Sequence, residues 1–310
     1  MNKSEVQRIV REAVLRCLPQ TATTTSDPAE AIYHSPTAAR IKDEIIEVGK
    51  KLWERQYVDG NGGNISCRIA ENYVLCTPTM CSKGDLTHAD LSLINLENVR
   101  VCGERPHTSE VLLHLEIYKA VPQARAVIHC HPPHATAYAI TGLVPPANVI
   151  PEQEVFIGPL CVTPYETPGT KKFAETVLPY ARQHNTILLG NHGIVCWADT
   201  LTHAEWLVEI VDTYCRTIML AMSLGGPIKN MTAANVADLL EIKKKLGLPD
   251  CRLPELDGAP AEPYFVTPEF CGADEVGTVG TAGLRVPPEE IEALIAWMTA
   301  EIMELLSKAT

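Results

Sequence analysis

The sequence predicts an α/β fold, a mainly antiparallel or mixed sheet with helices packed on it. Two observations carry that expectation. Helical and strand patterns alternate from about Pro36 to Pro249 without the regular βαβ repeat of a parallel sheet. The 310 residues are 46% hydrophobic, enough for one sizeable core with appended segments.

In chain order, residues 4–18 place Val6, Ile9, Val10, Ala13, Val14 and Cys17 at three- and four-residue spacing. Glu5, Arg8, Arg11 and Glu12 lie largely on the other side, so residues 1–20 form a module with a short amphipathic helix. Thr, Ser and Pro in 21–35 read as a linker. The main domain, 36–250, opens with a helix over 37–56 and a glycine turn. Short strands over "NISCRI", "NYVLCTP" and "LSLINLEN" follow, then a helix over "SEVLLHLEIYKAV" and the buried strand "ARAVIHCH". The strand pair "NTILLGNHGIVCWA" and a long helix over 203–224 come later. Residues 251–310 are a loop-rich extension ending in a second amphipathic helix. Ile291, Leu294, Ile295, Met298, Ile302 and Leu305 line one face of it, and acidic residues suit its first turn.

Charge and cysteine usage narrow the function classes. Lys and Arg number 26 against 38 Asp and Glu, a formal charge of −12, which argues against a nucleic-acid backbone as partner. No apolar run approaches the roughly 20 residues that span a bilayer. Charges also interrupt the N-terminal segment, unlike a signal-peptide core, so a soluble, cytoplasmic protein is expected. The eleven cysteines show no CxxC pair and are expected to be reduced core residues.

The stretch "AVIHCHPPHATA" (126–137) raises the chemical question. Alternate strand residues face one way, so His129 and His131 share a face while Cys130 points into the opposite layer. His192, in "LLGNHGIV", also lies where an apolar strand breaks into a glycine turn. Three imidazoles and an open position suit a catalytic Zn2+ site. Glu110, at the start of a helix, is the candidate carboxylate; a first-turn glutamate satisfying the helix dipole is the plain alternative. "DGNGGNIS" (59–66) is a run of turn-formers matching neither a P-loop nor GxGxxG.

Taken in order, "GNGGNIS", "TPT", "TSE" before a helix, "HCHPPH" and "GNHG" resemble the class II aldolase/adducin family over roughly residues 38–250. The resemblance implies a three-layer αβα sandwich forming a cyclic homotetramer with active sites near subunit interfaces. It implies zinc on His129, His131 and His192, with Glu110 as an acid/base that approaches or leaves the metal. Asn64, Thr79, Thr108 and Ser109 fall where the family holds substrate phosphate. The activity it implies is zinc-dependent aldol cleavage of a sugar phosphate such as L-fuculose 1-phosphate or L-rhamnulose 1-phosphate, giving dihydroxyacetone phosphate and lactaldehyde. A decarboxylase, dehydratase or 4-epimerase on the same scaffold is the alternative, and a non-catalytic adducin-like binding protein a further one.

The chain departs from that pattern at three points. Met80 stands where fuculose-phosphate aldolases have glycine, which is expected to reshape the phosphate pocket. Ile150 and Leu246 fall at or near their two tyrosines. Glu152 or Glu154 is a substitute proton donor, or part of a solvated loop. The N-terminal helix on its linker resembles the encapsulation peptides of bacterial microcompartment cargo enzymes, which implies shell proteins as partners. The C-terminal helix, with Trp297, is expected to be buried against the core or a neighbouring subunit.

Overall fold

The computed structural model describes residues 28–254 and, outside them, Val6, Val10, Ala296 and 298–300. The chain divides into two compact units, Asp27–Phe270 and Met1–Ser26 with Cys271–Thr310. In the second of these, Val6 and Val10 are buried helical positions and Thr299 is buried. The rest of both amphipathic segments, Trp297 included, lies outside the described residues.

Helix α1 (Pro28–Tyr33) occupies part of the stretch expected to be linker. Helix α2 (Pro36–Glu54) begins where Ser35 accepts from the Ala38 N–H at 3.1 Å and Pro36 supplies a pre-set first turn. Its apolar stripe, Ile41, Ile45, Val48 and Leu52, is buried. Strands β1 (Asn64–Ala70), β2 (Tyr73–Cys76), β3 (Ser92–Asn95) and β4 (Arg100–Cys102) form a meander. Helix α3 (Val111–Ala120) leads to β5 (Ala126–Cys130), and α4 (Pro133–Thr141) and α5 (Pro151–Phe156) follow. Next come β6 (Val162–Thr163), α6 (Lys171–Glu175), β7 (Thr186–Leu189), β8 (Gly193–Ala198), α7 (Leu201–Ser223) and α8 (Ala233–Lys245). The sheet order is β4-β3-β2-β1-β5-β8-β7-β6. Among the described residues only β6 and β7 pair in parallel, so the expected mixed, mainly antiparallel α/β sheet is what forms.

Two apolar layers flank the sheet. On one face Ala126, Ile128 and Cys130 of β5 meet α2, α4 and α7; on the other Val127 meets α3 and α6. A strand buried on both faces leaves its alternation to decide which side chain meets which layer. Cys130 therefore joins the first core and His129 points toward α3. Cys67, Cys76, Cys102, Cys130, Cys196 and Cys215 are buried free thiols, in line with the sequence reading. Among the described residues no helix is long and apolar enough to cross a membrane.

Glu154 corrects the expectation of a solvated loop. It lies in α5, buried, accepts from the Asn148 N–H at 2.5 Å and pairs with Arg252 at 2.8 Å. Arg252 also holds Asp250, which bonds the buried Lys243 of α8 at 2.9 Å, so these charges fasten α8 to α5. Glu152 is exposed on the same short helix.

Between α2 and α7, Glu205 is buried 3.6 Å from Arg55 and 3.9 Å from Lys51, with Glu209 also paired to Arg55. Burial, then the hydrogen bond and charge of Glu209, push the Glu205 carboxyl up from 4.5 to about 7. Between those values the folded chain keeps a proton that the unfolded chain has lost, so stability falls as pH rises through that window. Glu205→Gln is expected to flatten this fall and to melt above wild type at about pH 8, read by thermal unfolding at several pH values. An unchanged pH dependence would show that Glu205 stays ionised throughout.

Candidate active site

The site forms where β5 ends. His129 is the last inward residue of that strand on the α3 side, and His131 follows one pleat later, its N–H donating to the Tyr57 carbonyl at 2.8 Å. His192 sits in the tight turn joining β7 to β8, its N–H donating to the Leu189 carbonyl at 3.0 Å. That turn must approach β5 closely. A Cβ on Gly193 would lie 2.5 Å from the Cys130 carbonyl oxygen and 2.6 Å from His131 Cδ2. Glycine there lets the two histidine-bearing segments meet.

The three imidazoles offer ligand atoms all within 4.8 Å of one another. Ring centroids are 4.9 Å apart for His129 and His131, 4.6 Å for His129 and His192, and 5.1 Å for His131 and His192. Glu110, at the N-cap of α3, reaches the cluster from the other layer: Oε2 lies 3.1 Å from His129 Nε2 and Oε1 3.7 Å from His192 Nε2.

The tautomer of His129 suits a metal ion. His129 Nδ1 lies 2.8 Å from the Ile194 carbonyl, which only accepts, so Nδ1 carries the proton and Nε2 of the neutral ring is bare. That bare nitrogen faces a carboxylate oxygen. Two acceptors meet there, and a cation between them is what their chemistry calls for. Three imidazoles and a carboxylate are the donor set a divalent ion takes, with room for a substrate oxygen. Burial and the neighbouring imidazoles push His131 and His192 down to about 4, leaving both neutral and ligand-competent near pH 7. Burial works against the ionised Glu110 carboxyl, and the hydrogen bond donated by the Asn64 amide favours it.

The remaining expected residues gather at the same end of the sheet. Asn64 opens β1 opposite His129 in the register, and its Nδ2 donates to Glu110 Oε2 at 3.1 Å. Its amide is thus engaged with the carboxylate. Thr79 donates its N–H to the Pro106 carbonyl at 3.1 Å and Thr108 its N–H to the Thr77 carbonyl at 3.0 Å, so the "TPT" and "TSE" segments run side by side. Thr108 is buried, with Oγ1 accepting from the Glu110 N–H at 3.4 Å, while Ser109 is exposed. Met80 takes φ of +52°, a left-handed backbone that glycine adopts freely, and its side chain is 72% exposed. The substitution therefore strains the backbone locally and carries its bulk to solvent. Ile150 caps α5 half-buried against the core, and Leu246 caps α8.

Lys83 was not singled out by the sequence reading. It is buried, and its ammonium donates to the carbonyls of Cys81 at 2.6 Å and Asn61 at 3.1 Å, tying the glycine loop of 59–63 to the loop after Thr79. Phe173 packs its ring 5.3 Å from His192. No spacing rule marks a lysine or phenylalanine that arrives from a separate loop or helix.

The model of the class II aldolase and adducin N-terminal domain matches residues 43–219. The chain belongs to that family. This class II aldolase/adducin protein is 33% identical over 203 residues to the 3-oxo-tetronate 4-phosphate decarboxylase of Haemophilus influenzae, covering 64% of this chain and 95% of that one. It is 32% identical over 180 residues to the L-fuculose phosphate aldolase of Methanococcus vannielii, covering 58% and 96%. Its fold matches a solved L-fuculose 1-phosphate aldolase with a TM-score of 0.62 at 28% identity, covering 66% of this chain and 97% of the other. It is a metal-dependent enzyme of the class II aldolase superfamily, with a His129, His131 and His192 triad consistent with a divalent metal site.

Two outcomes check this geometry. His129→Ala is expected to abolish stoichiometric zinc retention, measured by metal analysis after dialysis, while the fold persists by circular dichroism. Gly193→Ala is expected to lower stability by about 1–3 kcal/mol in denaturant unfolding, because the added methyl meets backbone; an unaltered midpoint would show that the hairpin yields freely.

Proposed function

We propose that this enzyme decarboxylates a phosphorylated 3-oxo sugar acid of the 3-oxo-tetronate 4-phosphate type. The observation that carries the reading is the similarity over 95% of the length of the 3-oxo-tetronate 4-phosphate decarboxylase. Chemistry supports it. In such an acid the C1–C2 bond breaks, its electron pair moves toward the C3 carbonyl oxygen, carbon dioxide leaves, and the enediolate is protonated at C2 to give dihydroxyacetone phosphate. Aldol cleavage of a ketose 1-phosphate reaches the same enediolate but must also strip a proton from the C4 hydroxyl as the aldehyde departs. Carbon dioxide needs no such second acid/base group. Residues unable to move protons, Ile150 and Leu246, at or near the positions of the aldolase tyrosines therefore suit decarboxylation.

In this reading Zn2+ held by His129, His131 and His192 supplies Lewis-acid polarisation of the substrate oxygens. Glu110, ionised at rest, takes up a proton from the medium and passes it to C2, and its place at the mouth of α3 sets its carboxyl beside the histidine cluster. Thr79, Thr108 and Ser109 bind the phosphate, with Lys83 keeping the loops around it in place. Aldol cleavage of L-fuculose 1-phosphate or L-rhamnulose 1-phosphate is the second reading, favoured by the similarity to L-fuculose phosphate aldolase. A homotetramer, and retention in a microcompartment through residues 4–18, remain proposals. Deleting residues 1–20 is expected to abolish co-sedimentation with shell protein, and undiminished co-sedimentation would remove the second.

Because both reactions leave dihydroxyacetone phosphate, the coproduct decides between them. The zinc-loaded enzyme is expected to release carbon dioxide from 3-oxo-tetronate 4-phosphate, and His131→Ala to lose that release by at least about 100-fold. Lactaldehyde from L-fuculose 1-phosphate with no carbon dioxide from the oxo acid would overturn the decarboxylase reading in favour of aldol cleavage.

A further inference from the structure

A run of buried polar side chains lies between α3 and β1, behind the metal-ligand cluster. Glu110, His114 and Tyr118 recur every four residues along α3, and Asn64 and Ser66 every two along β1. Four helical residues advance about 6 Å and two strand residues about 6.6 Å, so the two rows interleave. Asn64 Nδ2 donates to Glu110 Oε2 at 3.1 Å, and His114 Nε2 lies 2.5 Å from Asn64 Oδ1. His114 Nδ1 lies 2.7 Å from Ser66 Oγ, which lies 2.8 Å from the Tyr118 hydroxyl. His114, Ser66 and Tyr118 are fully buried, and Asn64 nearly so.

The proton positions in this run follow from its Glu110 end. An ionised carboxylate only accepts, so Asn64 must present its NH2 to Glu110 and its carbonyl to His114. His114 Nε2 must then carry the proton, which leaves Nδ1 to accept from the Ser66 hydroxyl, and Ser66 accepts in turn from Tyr118. Burial pushes His114 down to about 3, so the ring stays neutral across the working range. Besides Glu110 itself, His114 is the sole hydrogen-bond partner of the Asn64 side chain among the described residues. Without it Glu110 alone holds the Asn64 amide, whose carbonyl is left without a donor, and the amide plane is no longer fixed from both sides.

We infer that His114 is a positioning residue for the reaction: through the Asn64 amide it fixes the orientation of Glu110, with Ser66 engaging its second ring nitrogen. The inference rests on the reading of Glu110 as the proton-moving group. It is distinct from packing, because it requires a donor and an acceptor at the two ring nitrogens.

The experiment compares zinc-loaded wild type with His114→Leu, His114→Gln and Ser66→Ala. Expected are a fall in kcat of roughly 10- to 100-fold for His114→Leu, with KM changed far less and zinc stoichiometry retained. His114→Gln, whose amide supplies one donor and one acceptor, is expected to recover most of the loss. A His114→Leu enzyme with full kcat and a lower melting temperature would overturn the inference, as would a Gln variant no better than Leu. Should His114→Leu fail to fold, Ser66→Ala tests the same chain: a decrease in kcat at unchanged zinc content supports it, and unaltered kcat refutes it. Long-range proton–nitrogen NMR on histidine-labelled protein needs no substrate. It is expected to show His114 neutral with its proton on Nε2, and a proton on Nδ1 would overturn the inference even if the decarboxylation reading has failed.

Discussion

The site depends on one electrostatic requirement: a bare imidazole nitrogen of His129 and a carboxylate oxygen of Glu110 meet in a largely buried place, where neither can be solvated. Acceptors brought face to face repel, and His131 and His192 bring further nitrogen lone pairs to the same point. A divalent cation converts that repulsion into binding energy, so the arrangement is best understood as a ligand set that the fold holds ready. The tautomer of His129 is set by the Ile194 carbonyl of the neighbouring strand, which makes the sheet's own hydrogen bonding part of the metal chemistry.

Holding that cluster together falls to three separate pieces of secondary structure. β5 is central and buried on both faces, so its alternation cannot slip without moving apolar side chains out of two cores at once. The β7–β8 turn delivers His192 against it only because Gly193 has no side chain. Helix α3 brings Glu110 across from the second layer, and its packing on β1 is partly polar, through Asn64, His114 and Ser66. A buried polar seam costs stability unless every group is paired; here each group is, and the reward is a defined carboxylate position.

The chemistry suited to this arrangement is cleavage of a carbon–carbon bond next to a carbonyl, with electrons collected on oxygen and a single carboxylate handling the proton. Aldolases and decarboxylases of the family share that half of the reaction and differ in what departs. The departing fragment must be managed by residues outside the histidine cluster. In this chain those positions hold Ile150 and Leu246, while Glu154, which looked available, is tied up with Arg252. In the proposed reading, discrimination between relatives therefore lies outside the histidine cluster.

The sequence by itself determined a mainly antiparallel or mixed sheet with helices packed on it and singled out His129, His131 and His192, while the three-layer sandwich was implied by the family resemblance. Period-two and period-3.6 patterns are local, and His129, His131 and His192 each sit beside an apolar strand that marks its place. It also pointed to Glu110, from a helix start. It did not foresee α1 in the stretch taken for a linker, the burial of Glu154, or Lys83 clamping two loops. Each depends on a partner distant in the chain: Lys83 on Asn61, Glu154 on Arg252. The role of His114 stayed hidden for the same reason. Its four-residue spacing from Glu110 is plain in the sequence, but only the packing of α3 on β1 puts Asn64 between them, and hydrogen bonds act over about 3 Å in space whatever the separation along the chain.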